Sequence, residues 1–112
     1  EYTDDIADQY AGSRVLILPV TTPRGNRIKY HMCTDDAVPF VERVRPELAI
    51  FIHLGVVIIR RGAESEAAYV EEMTGVRTVA ARDLMVLDVG DDLGISDAET
   101  FGINGWIPDS SP

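Results

Sequence analysis

The sequence predicts an α/β domain built on parallel strands, and three features support that prediction. Two strand-length runs, Arg14 to Val20 and Leu48 to His53, are too uniformly apolar to leave a face in water, as parallel strands covered on both sides require. The segment between them carries apolar residues at helical spacing, so strand, helix and strand make a βαβ unit. Finally, 112 residues with 46% hydrophobic and 26% charged content suit one soluble globular domain with a real core.

The elements follow in order. Thr3 to Ala11 reads as a short amphipathic helix with Ile6, Ala7 and Tyr10 at helical spacing, Thr3 as N-cap, Asp4 and Asp5 at its positive end and Gly12 as its stop. Arg14 to Val20 is the first buried strand, which Pro19 ends or places at an edge. Thr21 to Arg27 is too rich in Pro, Gly and Asn for anything but a loop. Thr34 is the expected N-cap of a helix running to about Arg45, with Ala37, Phe40, Val41 and Val44 on its buried face and Pro46 beyond it. Leu48 to His53 is the second strand. Val56 to Arg61 fits a strand or a turn of helix equally well. A helix from about Ala63 to Thr74 turns its acids to water and ends at Gly75, and Val76 to Ala81 is a third strand. Met85 to Val89 alternates as a fourth strand, antiparallel at an edge, giving one mixed sheet of about four strands with flanking helices. Residues 1–89 form the domain, and 90–112 form an acidic, Gly-rich tail, loosely docked or disordered.

The net charge of −9 and pI near 4.5 argue against nucleic acid as a partner, although Arg24, Arg27 and Lys29 lie close together. A single cysteine, Cys33, excludes an internal disulfide and fits a reducing compartment. No apolar stretch approaches the roughly 20 residues of a membrane span, and no signal-peptide pattern opens the chain. The expectation is a cytoplasmic protein. The chain starts with Glu1 rather than Met, as a processed, trimmed or excised chain would.

Chemistry centres on the two histidines, His31 and His53. His53 ends an apolar strand, at the rim where α/β sheets keep their ligands. With the carboxylates of Asp35, Asp36 and Asp83, two imidazoles could form part of a zinc, manganese or iron site. The simpler reading makes them unrelated histidines, Cys33 a buried thiol, and Asp35-Asp36 a pair that complements a helix dipole. Thr22 to Asn26 lacks the glycine spacing of a phosphate-binding loop.

The ordered series Pro23-Arg24-Gly25, His31 to Ala37, Pro46 to Gly55, Glu66 to Val70, Thr74-Gly75-Val76 and Ala81-Arg82-Asp83-Leu84-Met85 resembles the C-terminal half of metallo-β-lactamase-fold hydrolases over about two-thirds of the chain. The resemblance implies half of an αββα sandwich. It makes His53 the last ligand of a two-metal site and gives His31 a catalytic place beside the substrate or leaving group. In such sites a metal-activated hydroxide attacks an ester, amide or phosphodiester. Ile52 stands for the usual Thr, Leu54 for the usual Phe and Leu84 for the usual Gly, the last at a turn where a branched residue is costly.

The family's His-x-His-x-Asp-His motif, its next histidine and its bridging aspartate have no counterpart here, since no histidine precedes His31. The resemblance therefore implies a partial hydrolase, not competent alone, that takes zinc or another divalent transition metal only with an N-terminal half. An exposed apolar face would receive that half or a second copy. The alternatives are a non-catalytic interaction or scaffold domain and an independent doubly wound α/β domain with both sheet faces covered.

Overall fold

A computed structural model describes residues 2–97 of the chain. They fall into two compact units, one up to Ala81 and one from Arg82. The first carries a four-stranded sheet, all parallel, in the order β2-β1-β3-β4, with β1 at Val15–Thr22, β2 at Met32–Cys33, β3 at Leu48–Ile52 and β4 at Arg77–Ala80. Its helices are α1 at Asp4–Asp8, α2 at Thr34–Val44, α3 at Val56–Arg61 and α4 at Ala63–Thr74. The second holds an antiparallel pair, β5 at Met85–Val89 and β6 at Leu93–Asp97.

Local chemistry sets most boundaries. The Thr3 hydroxyl accepts from the Ile6 N–H and caps α1. α2 starts one residue earlier than the Thr34 cap predicts: Cys33 is the N-cap, and the Asp36 carboxylate reaches back to accept from its N–H at 3.2 Å. α2 ends on Arg45 at φ 53, with the Arg45 guanidinium donating to the Thr74 carbonyl at 2.6 Å. Gly75, at φ 77, closes α4 in the left-handed conformation that glycine adopts without a Cβ penalty.

Register fixes which side chains share a face. Leu16 and Leu18 lie level with Ala49 and Phe51, and these with Thr78 and Ala80. On that face they pack with Ala37, Phe40, Val41 and Val44 of α2, Ala67 and Val70 of α4, and Ile58 of α3 in one core. The other face carries Val15, Ile17 and Pro19 of β1, Ile50 and Ile52 of β3 and Val79 of β4. Ile17 is 54% exposed there and Ile52 40%. Leu48 and Ile50 on that face are buried, at 0% and 5%, so it is open only in part. Among the described residues the helical residues of the core lie on the other face, unlike the doubly wound domain considered as an alternative.

The sheet also departs from the expected mixed arrangement. Its fourth strand is β2, too short for any periodicity to reveal, whereas Met85–Val89 pairs antiparallel with Leu93–Asp97 in a separate sheet. Part of the expected tail is thus strand; residues 98–112 lie outside the described residues. Pro19 stands inside β1, an interior strand, where only β3 runs alongside because β2 pairs from Val20 onward. Its missing N–H therefore forfeits no bond to β2. Among the described residues no helix is long and apolar enough to cross a membrane.

Leu84 makes the turn into β5 at φ 63, so the turn forms with a leucine where the resemblance expects a glycine. Left-handed backbone costs a non-glycine residue about 1–2 kcal/mol, against about 0.5–1 kcal/mol of chain entropy that a glycine adds to the unfolded state. Leu84→Gly is therefore expected to raise stability by roughly 0.5–1 kcal/mol, read from the urea midpoint.

Candidate functional site

The rim beyond the C-terminal ends of β1 and β3 is built by two connections. The loop 23–31 leaves β1, and His53-Leu54-Gly55 leaves β3 into α3. They are tied together by the Gly55 N–H, which donates to the Thr21 carbonyl at 3.0 Å. A Cβ on Gly55 would stand 2.7 Å from that carbonyl oxygen, so only glycine allows the approach.

His53 follows the Pro19–Ile52 pair directly and has φ 58, so the chain leaves the sheet at this residue. It is exposed, and among the described residues its ring has no hydrogen-bond partner. His31 precedes β2, whose Met32 lies level with Val20. The two histidines thus flank the end of β1 from opposite sides, one in each neighbouring strand's path. His31 is exposed, with Nδ1 at 3.0 Å from the Lys29 carbonyl. A carbonyl only accepts, so Nδ1 carries a proton in this contact.

The loop between them is held from below by carboxylates. Glu66 of α4, 4% exposed, accepts from the Arg24 backbone N–H at 3.0 Å and from its Nε and Nη2 at 3.2 and 3.1 Å. The Arg24 guanidinium also lies 4.1 Å from the centre of the Tyr69 ring. Asp36, equally buried, accepts from Arg27 Nη1 at 2.8 Å and Nη2 at 3.0 Å, while Asp35 accepts from the Gly25 N–H at 3.0 Å. Burial would raise both buried carboxyls, but the arginine hydrogen bonds outweigh it, and both are held below the ordinary carboxylate range. Burial pushes the Cys33 thiol up, so Cys33 lies in the core as a neutral thiol.

These contacts revise the sequence reading at two places. The acids of α4 do not all face water, since Glu66 is buried, and Arg24 and Arg27 are neutralised rather than a free basic cluster. The pattern that could have flagged this is the matched pair of arginines three residues apart in a Pro-Gly loop, facing acids at two helix starts. Asp36 is consumed by its arginine, and Asp83 is an exposed turn residue of the second unit. Among the described residues no group of three or more His, Cys, Asp or Glu could hold a metal ion. His53 fits a metal only as one donor of a set completed elsewhere.

The parallel sheet with its flanking helices is consistent with half a metallo-β-lactamase domain, and the chain has that fold. It matches the crystal structure of the metallo-beta-lactamase fold protein YhfI from Bacillus subtilis with a TM-score of 0.62 over 85% of its own length and 36% of that chain. At 11% identity the likeness is one of fold. In sequence it is 31% identical over 84 residues to the uncharacterized protein MJ1374 of Methanocaldococcus jannaschii, covering 73% of this chain and 31% of the relative. The chain thus spans about a third of the length of the proteins it matches. No family model matches it.

Two outcomes are expected. Gly55→Ala should lower stability by about 1–3 kcal/mol in a urea titration, because the new methyl meets backbone rather than a flexible side chain. The folded carboxyls of Asp36 and Glu66 are depressed, so their stabilisation is present above the unfolded values near 4 and is lost as pH falls below them. A melting temperature followed downward from about pH 5 should fall less steeply in Glu66→Gln than in the unsubstituted chain.

Proposed function

We propose that this chain is one half of a metal-dependent hydrolase, with His53 a ligand of a two-metal centre and His31 on the substrate side. The observation that supports this reading best is His53. It is an imidazole at the end of β3, on left-handed backbone, exposed and without a hydrogen-bond partner among the described residues. Backbone strain of this kind persists where the surrounding fold enforces it, and it gathers at ligand sites.

Imidazole donors suit zinc and related divalent transition metals. When bound, such ions lower the pKa of water and stabilise the charge that develops on an ester, amide or phosphodiester oxygen. The role of His53 is to hold and orient. That of His31 is to move a proton: its Nδ1–H is committed to the Lys29 carbonyl, so Nε2 is the atom that accepts a proton or hands one on. The remaining donors, and the apolar surface that covers Ile17 and Ile52, come in this reading from another segment. Coverage of only a third of the matched proteins supports such a division.

In the protein that carries those donors, on one polypeptide or added as a separate segment, His53→Ala is expected to lower zinc occupancy and phosphodiester hydrolysis by at least roughly 100-fold. His31→Ala is expected to lower kcat with zinc retained. Full zinc occupancy and hydrolysis in His53→Ala would overturn the ligand assignment. Tight binding of two zinc ions and turnover by the 112-residue chain alone would overturn the half-site. Partner binding and cellular role unchanged by His53→Ala would favour a non-catalytic interaction domain.

A further inference from the structure

We propose that Glu66 and Asp36 are positioning residues that, through Arg24 and Arg27, set the ring of His31 with Nε2 outward. Its functional meaning rests on the substrate-side reading of His31, but the geometry does not.

The loop 23–31 has little else to hold it. Pro23 is buried, but every residue from Arg24 to His31 except the half-buried Asn26 is exposed. Its backbone makes only two internal turn bonds, from the Asn26 N–H to the Pro23 carbonyl and from the His31 N–H to the Ile28 carbonyl. Such a segment samples many conformations unless side chains fix it.

The fixing points are unusually rigid. Glu66 stands beside Ala67 and Val70 on the buried face of α4, and Asp36 beside Ala37 on that of α2, so both carboxylates belong to the core. Asp36 grips Arg27 with both oxygens in a planar fork, and Glu66 takes Nε and Nη2 of Arg24 on Oε2 with Nε also 3.3 Å from Oε1, so direction as well as distance is set. Stacking on Tyr69 fixes the plane of Arg24, and the Glu66 bond to the Arg24 N–H fixes the main chain itself. Asp36 also accepts from the Cys33 N–H, just beyond the other end of the loop. One carboxylate therefore holds residues 27 and 33, with His31 between them.

That span explains the histidine. Tyr30 takes φ 68, and the turn that it makes brings the Lys29 carbonyl to His31 Nδ1. The carbonyl selects the Nδ1–H tautomer and leaves Nε2 as the outward atom. In this proposal the clasp holds the turn that presents the carbonyl.

Long-range proton–nitrogen NMR of the full chain at mildly alkaline pH reads the tautomer directly, with His53→Gln to assign the two rings. His31 is expected as the Nδ1–H form. In Arg27→Gln/Asp36→Asn, and separately in Glu66→Gln, this form should fall from majority to minority. The amides of residues 24–31 should exchange faster while those of β1 and β3 keep their protection. A His31 in the Nε2–H form in the unsubstituted chain would overturn the proposal, as would a His31 that stays Nδ1–H once the loop amides are released. Should the neutral variants lose the core amides as well, Arg24→Lys and Arg27→Lys, which keep the charge but not the fork, are read in the same way, with an unmoved tautomer counting against the proposal. The readout involves neither metal nor substrate, so a failure of hydrolysis in the assembled protein leaves it standing, and the converse.

Discussion

Parallel strands cannot be joined by tight turns, so each connection must cross a face of the sheet, and which face it crosses decides what is left over. Here α2 and α4 both pack on the face of Leu16, Leu18, Ala49 and Phe51. The opposite face keeps Ile17 and Ile52 open to water. Burying apolar surface is worth roughly 25 cal/mol per Å², so a sheet face of this kind favours association with another apolar layer. The same one-sided winding sends the ends of β1 and β3 to a common rim. Exposed face and rim are thus two consequences of one choice of crossover.

The second constraint is electrostatic. The chain carries an excess of nine negative charges, and several of its arginines are engaged in ion pairs: Arg14 with Glu47, Arg24 with Glu66, Arg27 with Asp36, Arg43 with Asp8, Arg45 with Glu42 and Arg82 with Asp97. These pairs are not equivalent. Exposed ones such as Arg14–Glu47 contribute little, because water competes for both partners. The carboxylates of Glu66 and Asp36 are out of water and cannot lose their arginines without leaving a buried charge uncompensated. The loop above them is therefore as firm as its anchors, although its own packing is slight. Arg24 and Arg27 are therefore committed to holding the loop.

What the sequence made legible was whatever rests on periodicity over several residues. α2 and α4, β1, β3 and β4 and the Gly75 stop are all read from spacing, and the half-fold follows from the order of short motifs. β2 escaped because two residues carry no period, and its absence from the reading sent Met85–Val89 into the wrong sheet. Leu93–Asp97 escaped because glycine and acids dominate its surroundings, while the pairing that makes it a strand is supplied by its neighbour. His53 was legible as a rim residue because a strand's end is where its apolar run stops. The buried state of Glu66 was not, since an acid on an amphipathic helix looks solvated until the arginine 42 residues earlier is brought to it.

Backbone strain separates the structural positions from the candidate site. Among the described residues four non-glycine residues take positive φ: Tyr30, Arg45, His53 and Leu84. Arg45 ends a helix, where the left-handed turn frees the chain to reverse and the guanidinium satisfies a carbonyl of α4. Leu84 makes a turn. Tyr30 and His53 end no helix. One immediately precedes a histidine and the other is one, and both stand at the rim of the same sheet. At about 1–2 kcal/mol each, such conformations are not adopted for want of alternatives. They require a surrounding structure that enforces them: the clasped loop for Tyr30, and for His53 the close approach of Gly55 to Thr21. In the reading proposed above, these two strained positions present the imidazoles, His31 through its bond to the Lys29 carbonyl and His53 with no hydrogen-bond partner among the described residues.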